Sequence, residues 1–360
     1  MIQVRRGLVL AILGERPGIS FLKVEVDSQQ AKAINYDWLS GPVKVGDRVT
    51  LNTTAVHLKL GSGGWHFVIQ VGEGHELDPK APGHIMKLRY TPLQIKVPSV
   101  EEPASPYHGI MTQHQDLDGL PVVVGTLHSQ LAPAVVAALG IKPKTRIAYV
   151  MTDGACLPAP FSNTINYLKE RRLLCGSITV GHAFGGDLEA VNIYSGLIAA
   201  RWVLKADLAV VAMGPGTVGT STPLGSTSLE QGAILDGVSA LGGRAIALLR
   251  ISFADERLRH RGISHHCLTA LGILTQLPAT VVVPRLPTAM GAFVASQLQT
   301  SKITAKHQVV EWDGKPGLET LLACDLHPTT MGRSINEDRE FFLSACAAGS
   351  YAAHCLDFKE

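Results

Sequence analysis

Residues 208–222 read LAVVAMGPGTVGTST, an unbroken apolar run followed by a glycine-rich turn carrying hydroxyl side chains. An apolar run this short and continuous, closed by a turn, predicts a strand covered on both faces. The same pattern recurs at residues 122–124, 147–150, 178–180, 245–249 and 281–283, with helix-length segments at 131–139, 163–171 and 189–204 between them. Strands alternating with helices predict an α/β fold whose largely parallel, doubly wound sheet is sandwiched by its crossovers.

Ahead of this region the pattern differs. Residues 7–13, 20–26, 48–52 and 65–71 are short β-type runs, separated by turn signals such as Gly46-Asp47 and Gly61-Ser62-Gly63-Gly64. They predict a small antiparallel barrel or sandwich. Glu101, Glu102, Pro103 and Pro106 mark the boundary, because proline removes a ladder donor and restricts its predecessor. The chain is thereby divided into a β-rich domain at 1–102, an α/β domain at 107–328 and a helical extension at 329–360 packed on the α/β domain. Ser334 and Glu337 have the spacing of a capping box before a helix expected at 339–356.

The 32 basic residues nearly balance the 30 acidic ones, giving a net charge of +2 that offers no general attraction to nucleic acid or anionic lipid. No apolar run reaches the ~18 residues expected of a spanning helix. Six scattered cysteines without a CxxC pair fit reduced thiols, and with no leader-like segment the expectation is a bacterial cytoplasmic protein.

Ligands of open parallel sheets bind beyond the carboxyl ends of the strands. The residues following each predicted strand are polar: Thr126 and His128; Thr152, Asp153 and Gly154; Gly181, His182 and Asp187; then 214–228 and 250–266. Gly214, Gly216 and Gly219 form a G-x-G-x-x-G pattern, with Thr217 and Thr220 as added donors. Helix signals begin only near Ser226 to Glu230, so the loop reads as an anion holder or a structural crossover before it reads as a dinucleotide site. Asp187 and Glu189 suit the start of a helix, whereas His182 has no capping duty and is free to contact a ligand or move a proton.

Residues 250–266 are the richest ionisable stretch, after a span from 208 to 229 with no charged side chain at all. Arginines such as Arg250 suit carboxylate or phosphate, while Asp255, His260, His265 and His266 suit proton exchange or a divalent metal; a solvated loop is the bland alternative. Adjacent His265 and His266 diverge on a helix, so His128 and His182 from other loops would have to complete a metal set. Cys156 reads either as a nucleophile or as a small buried hydrophobe.

The strings at 181–187, 213–217 and 252–255 leading to Ser264-His265-His266 resemble those of an uncharacterised bacterial family of about this length, over nearly the whole chain. That resemblance implies no activity, cofactor or site. Tyr90-Thr91-Pro92 and Cys156 are similar to cues in the pyruvoyl-type subunit of glycine and sarcosine reductases, which gives a remote alternative. The leading expectation is an enzyme acting on a small anionic metabolite by hydrolase- or lyase-like acid–base chemistry. Its catalytic candidates are His182, His260 and Asp255; its ligand-binding candidates are Gly214, Gly216, Thr217, Gly219, Thr220, Arg250, His128 and Asp187. The cofactor is left open, with a divalent metal allowed at His265 and His266. The competing expectation is a noncatalytic metabolite sensor or assembly component, and the apolar content permits a homo-oligomer.

Overall fold

The computed structural model describes residues 1–78 and 82–358, and divides into one unit at Met1–Val97 and another at Pro98–Glu360. The first unit is a closed barrel of five strands, Val4–Arg16, Ile19–Val26, Gln29–Asn35, Trp65–Val71 and Arg48–Asn52, in that order around the barrel. Alternating residues such as Leu22, Val24 and Val26 point inward, where they meet Val9, Val49 and Leu51. Asp27 and Ser28, both at positive φ, make the two-residue turn between the second and third strands. The pairing is not wholly antiparallel, because Gln29–Asn35 runs parallel to Trp65–Val71.

The second unit is built on eight parallel strands. From one edge they are Leu188–Glu189, Gly176–Thr179, Ile147–Thr152, Leu208–Met213, Pro121–Val124, Arg244–Leu248, Thr280–Pro284 and Gln308–Trp312. Successive residues feed opposite cores: Val122, Val150 and Val211 point to one face, and Val123, Tyr149 and Val210 to the other. Every residue of the central strands is buried, which explains their continuous apolarity. The helix Glu230–Ala240 covers the first face, with Leu235 and Val238 in that core; Leu131–Ile141 and Arg339–His354 cover the second.

The order of the strands fixes where a ligand can enter. Pro121–Val124 leads out through Leu131–Ile141 to Ile147–Thr152 on one side, while Leu208–Met213 leads through Glu230–Ala240 to Arg244–Leu248 on the other. Connections leaving neighbouring strands in opposite directions leave a crevice at their carboxyl ends. The loops bordering it begin at Gly125, Gly214 and Leu249.

Three local readings need correction. The helix expected at 189–204 is shorter: Glu189 lies in an edge strand, Asn192 caps Ile193–Ile198 by accepting from the Ser195 amide, and the segment ends in a wider π-turn at Ala199–Val203. Asp187 therefore caps nothing. Glu337 does bond back to the Ser334 amide and hydroxyl and the helix starts at Arg339 as expected, but its N-cap is the fully buried Asp338. That helix ends at His354, and the last two residues of the 329–360 extension lie outside the described residues. No helix among the described residues is long and apolar enough to cross a membrane.

Gly349 lets Arg339–His354 lie directly on Leu131–Ile141, since a Cβ there would stand 2.0 Å from the Ala134 carbonyl oxygen. Gly349→Ala is expected to lower the unfolding free energy by about 1–3 kcal/mol through overpacking, read as a lower urea midpoint. An unchanged midpoint would show that the helix pair is looser than described.

Candidate functional site

The loop Leu249 to Ser264 is folded around one carboxylate. Arg257 donates to Asp255 through Nε at 2.9 Å and NH2 at 2.8 Å, a two-pronged pair; Arg250 NH2 donates to Asp255 Oδ2 at 2.9 Å. Arg333, from the segment before the last helix, approaches the same oxygen at 3.6 Å and bonds Asp338 at 2.8 Å. Asp338 in turn accepts from the Ser252 hydroxyl at 2.9 Å. The Arg257 hydrogen bond, with the neighbouring guanidinium charges, holds the Asp255 carboxyl well below the usual range against the opposing effect of burial. Asp255 therefore orients arginines and does not exchange protons at neutral pH.

On the far side of Arg250, NH1 donates to His260 Nδ1 at 2.5 Å, and the Ser264 hydroxyl lies 2.9 Å from the same nitrogen. A guanidinium can only donate, so Nδ1 accepts and the hydrogen of this neutral imidazole sits on Nε2. Burial and the two arginine charges push His260 down to about 3, and burial with His265 beside it pushes His266 down to about 4. Both rings are neutral at physiological pH.

These groups open on a crevice of about 160 Å³. Its lining combines the basic Arg250, Arg257, Arg259, His260 and His266 with Thr217, Gly219, Ser221 and Ser228 and the apolar Leu127 and Met331. Three guanidiniums, Arg250, Arg257 and Arg333, face two carboxylates, Asp255 and Asp338, which leaves one positive charge. The exposed Arg259 adds another.

Part of the glycine loop spends its amides within the loop. Residues 217–227 fold back on themselves: the Thr220 amide donates to Gly225 O at 2.8 Å, the Thr227 amide to Val218 O at 3.0 Å and the Val218 amide to Thr227 Oγ1 at 3.1 Å. Each glycine has its own task. A Cβ on Gly214 would stand 2.2 Å from the Cys156 carbonyl, Gly216 has φ +98°, and Gly219 faces the His266 ring at contact distance. The helix begins after this lobe, with a tight turn at Thr227–Leu229, so no helix N-terminus follows the motif directly. Thr220 bonds to Thr222 and Gly225 within the lobe.

The remaining candidates lie elsewhere. His128 is buried, joining Ser162 Oγ at 2.7 Å to Tyr149 OH and Met213 O, and burial pushes it down to about 4; it ties two strand ends to the cap of Asn163–Glu170. Asp187 is drawn back to the amide and hydroxyl of Ser177, with Lys169 beside it. The His182 amide donates to Asp153 Oδ2 at 2.9 Å, in a second polar group that includes the 2.6 Å bond from Thr152 Oγ1 to Glu230. Burial pushes the Cys156 thiol up to about 12, which leaves it unreactive at neutral pH.

The crevice thus unites Thr217, Gly219, Arg250 and His260 with His266, while Gly214, Gly216, Thr220, His128, His182 and Asp187 are absent from its lining. His265 is not in the lining but lies beside His260 and His266, with ring centroids 5.2 and 3.9 Å away. The two adjacent histidines converge because His265 is the first residue of a short helix, where the extended Ser264 sets its approach. Ser221, Ser228, Arg333 and Glu230 were not singled out by sequence. A family model described as "protein of unknown function (DUF3866)" matches residues 32–349, and no curated protein matches the chain.

Glu230 provides a pH test. Burial, with the nearby Asp153 charge, raises its carboxyl from 4.5 to about 7 despite the Thr152 hydrogen bond. The folded chain binds this proton more tightly than the unfolded one, so the contribution is complete below the unfolded value and is lost as pH rises through the folded one. Glu230→Gln should therefore gain roughly 1–3 kcal/mol on the wild type between about pH 5 and about pH 8. Parallel stability–pH curves would contradict the assignment.

Proposed function

The chain belongs to the DUF3866 family, and we propose that it is an enzyme acting on a small anionic metabolite held in the crevice between Gly219 and Arg259. The observation that carries this reading is the pairing of surplus guanidinium charge with neutral, buried imidazoles in one small crevice at a sheet switch point. Its volume of about 160 Å³ suits a phosphate- or carboxylate-sized group and falls below the ~300 Å³ at which sites for larger ligands begin. Arg259 and Arg257 supply the charge; Thr217, Ser221 and Ser228 add hydroxyl donors.

Within this reading, His266 is the proton acceptor. Its Nε2 edge faces Gly219 and the ring is unprotonated at neutral pH; an anion bound beside the arginines offsets the charges that depress it and raises its basicity toward the range of a useful proton acceptor. Such a base fits hydrolase- or lyase-like chemistry. His260 is committed through Nδ1 to Arg250, and Asp255 fixes the arginines, so both position the site. Nucleic acid and membrane are not among the proposed partners, and the cytoplasm remains the proposed location.

The test is calorimetry with phosphate, succinate and a nicotinamide dinucleotide, followed by turnover assays of phosphorylated and carboxylated metabolites. Phosphate or succinate should bind the wild type, with affinity reduced about 10-fold in Arg259→Ala, and the dinucleotide should bind no better than phosphate alone. Preferred dinucleotide binding, or indifference to Arg259→Ala and Gly219→Leu alike, would refute the reading. Anion binding without turnover of any such ligand would transfer the site to the sensor reading.

A further inference from the structure

We propose that His260, His265 and His266 form a three-nitrogen site for a divalent metal of the zinc class, open on its fourth side toward the crevice. The inference does not depend on the anion reading, and it replaces one role within it: a metal held by His266 takes the lone pair of that ring, which then no longer serves as the proton acceptor. One donor atom from each ring lies within 4.8 Å of the other two. Tetrahedral zinc with ~2.0–2.1 Å bonds sets its nitrogens about 3.4 Å apart, a separation that small side-chain rotations reach.

A second observation points to a missing partner. His265 Nε2 and His266 Nδ1 are buried and have no hydrogen-bond partner among the described residues. Leaving such atoms unpaired forfeits the hydrogen bonds they make with water in the unfolded chain, and two of them in adjacent rings is an arrangement that a shared metal would relieve. The donor set also selects the metal. Magnesium and calcium require oxygen ligands, whereas neutral imidazoles suit zinc, cobalt, nickel or copper. Three protein ligands leave a coordination position, and because His260 and His266 line the crevice, that position faces the space assigned to the anion.

His260 couples the two occupants. Its Nδ1 now accepts from Arg250 NH1, with Ser264 Oγ 2.9 Å away. A metal on Nε2 requires the hydrogen to move to Nδ1, where it donates to Ser264 in the second-shell manner that orients metal-bound histidines. Arg250 NH1 then gives up Nδ1, and because Arg250 lines the crevice this donor becomes available to an anion there. Metal loading thereby adds both a coordination position and a guanidinium donor to the anion site.

The experiment uses the untagged full-length chain, stripped with chelator and titrated with Co²⁺ while the visible ligand-field bands are followed. The wild type should bind a single equivalent with tetrahedral bands, and His265→Ala and His266→Gln should each weaken binding about 100-fold or more. Absent bands, or bands unchanged in folded variants, would overturn the proposal. Should either variant fail to fold, zinc-edge X-ray absorption of the loaded wild type decides: three imidazoles support the site, and sulfur ligands or oxygen alone refute it. Phosphate calorimetry on the stripped chain separates the two readings, because anion binding that survives while Co²⁺ does not bind removes the metal and leaves the anion site intact.

Discussion

Asp255 is the constraint on which the site depends. It is buried, and a buried carboxylate is tolerated only when paired and hydrogen-bonded. Arg250, Arg257 and Arg333 satisfy that demand from three directions. Arg250 enters from the strand end, Arg257 from the following loop and Arg333 from the segment before the last helix, so one carboxylate fastens three distant parts of the unit. Asp338 repeats the arrangement through Ser252 and Arg333. Removing Asp255 would take from the buried Arg250 its only carboxylate partner among the described residues and loosen the guanidinium that fixes the His260 tautomer.

The sheet determines where this network sits. The crossovers that leave Pro121–Val124 and its neighbour Leu208–Met213 cover opposite faces, and the crevice lies over the carboxyl ends of these strands. A larger hollow of about 580 Å³ exists at the amino ends of the same strands, lined by Lys142, Lys144, Arg201 and Arg244. Size favours the hollow, but chemistry does not. Arg201 already pairs with Asp118 and Arg244 with the Cys355 carbonyl, and among the described residues no histidine or hydroxyl cluster lines it. The smaller crevice brings cations, neutral bases and hydroxyls together.

What the sequence disclosed follows from the physics of each part. Strands such as Leu208–Met213 were legible because burial on both faces forces continuous apolarity. Gln29–Asn35 was hidden by its exposed, polar first half, and the edge strands Leu188–Glu189 and Gln308–Trp312 by partial burial. The charge-dense stretch 250–266 supplies Arg250, Arg257, Arg259, His260 and His266 to the crevice lining. The rest of that lining was legible only in part: Thr217 and Gly219 belong to it, whereas Gly214 and Gly216 serve backbone packing that a motif cannot distinguish from ligand contact. Glu230 read as a helix start because its partner, Thr152, is 78 residues away. Asp338 was passed over for the same reason, since its partner Ser252 is 86 residues distant. Periodicity discloses local covering, and partners brought together only by the fold leave no local signal.

The most direct measurement is anomalous diffraction from crystals of the full chain soaked in tungstate, an electron-dense analogue of phosphate. The account predicts one strong peak in the crevice, within hydrogen-bond reach of Arg259 and the Ser221 or Ser228 hydroxyl and beside His266. A dominant peak in the hollow between Lys144 and Arg244, with none in the crevice, would contradict it.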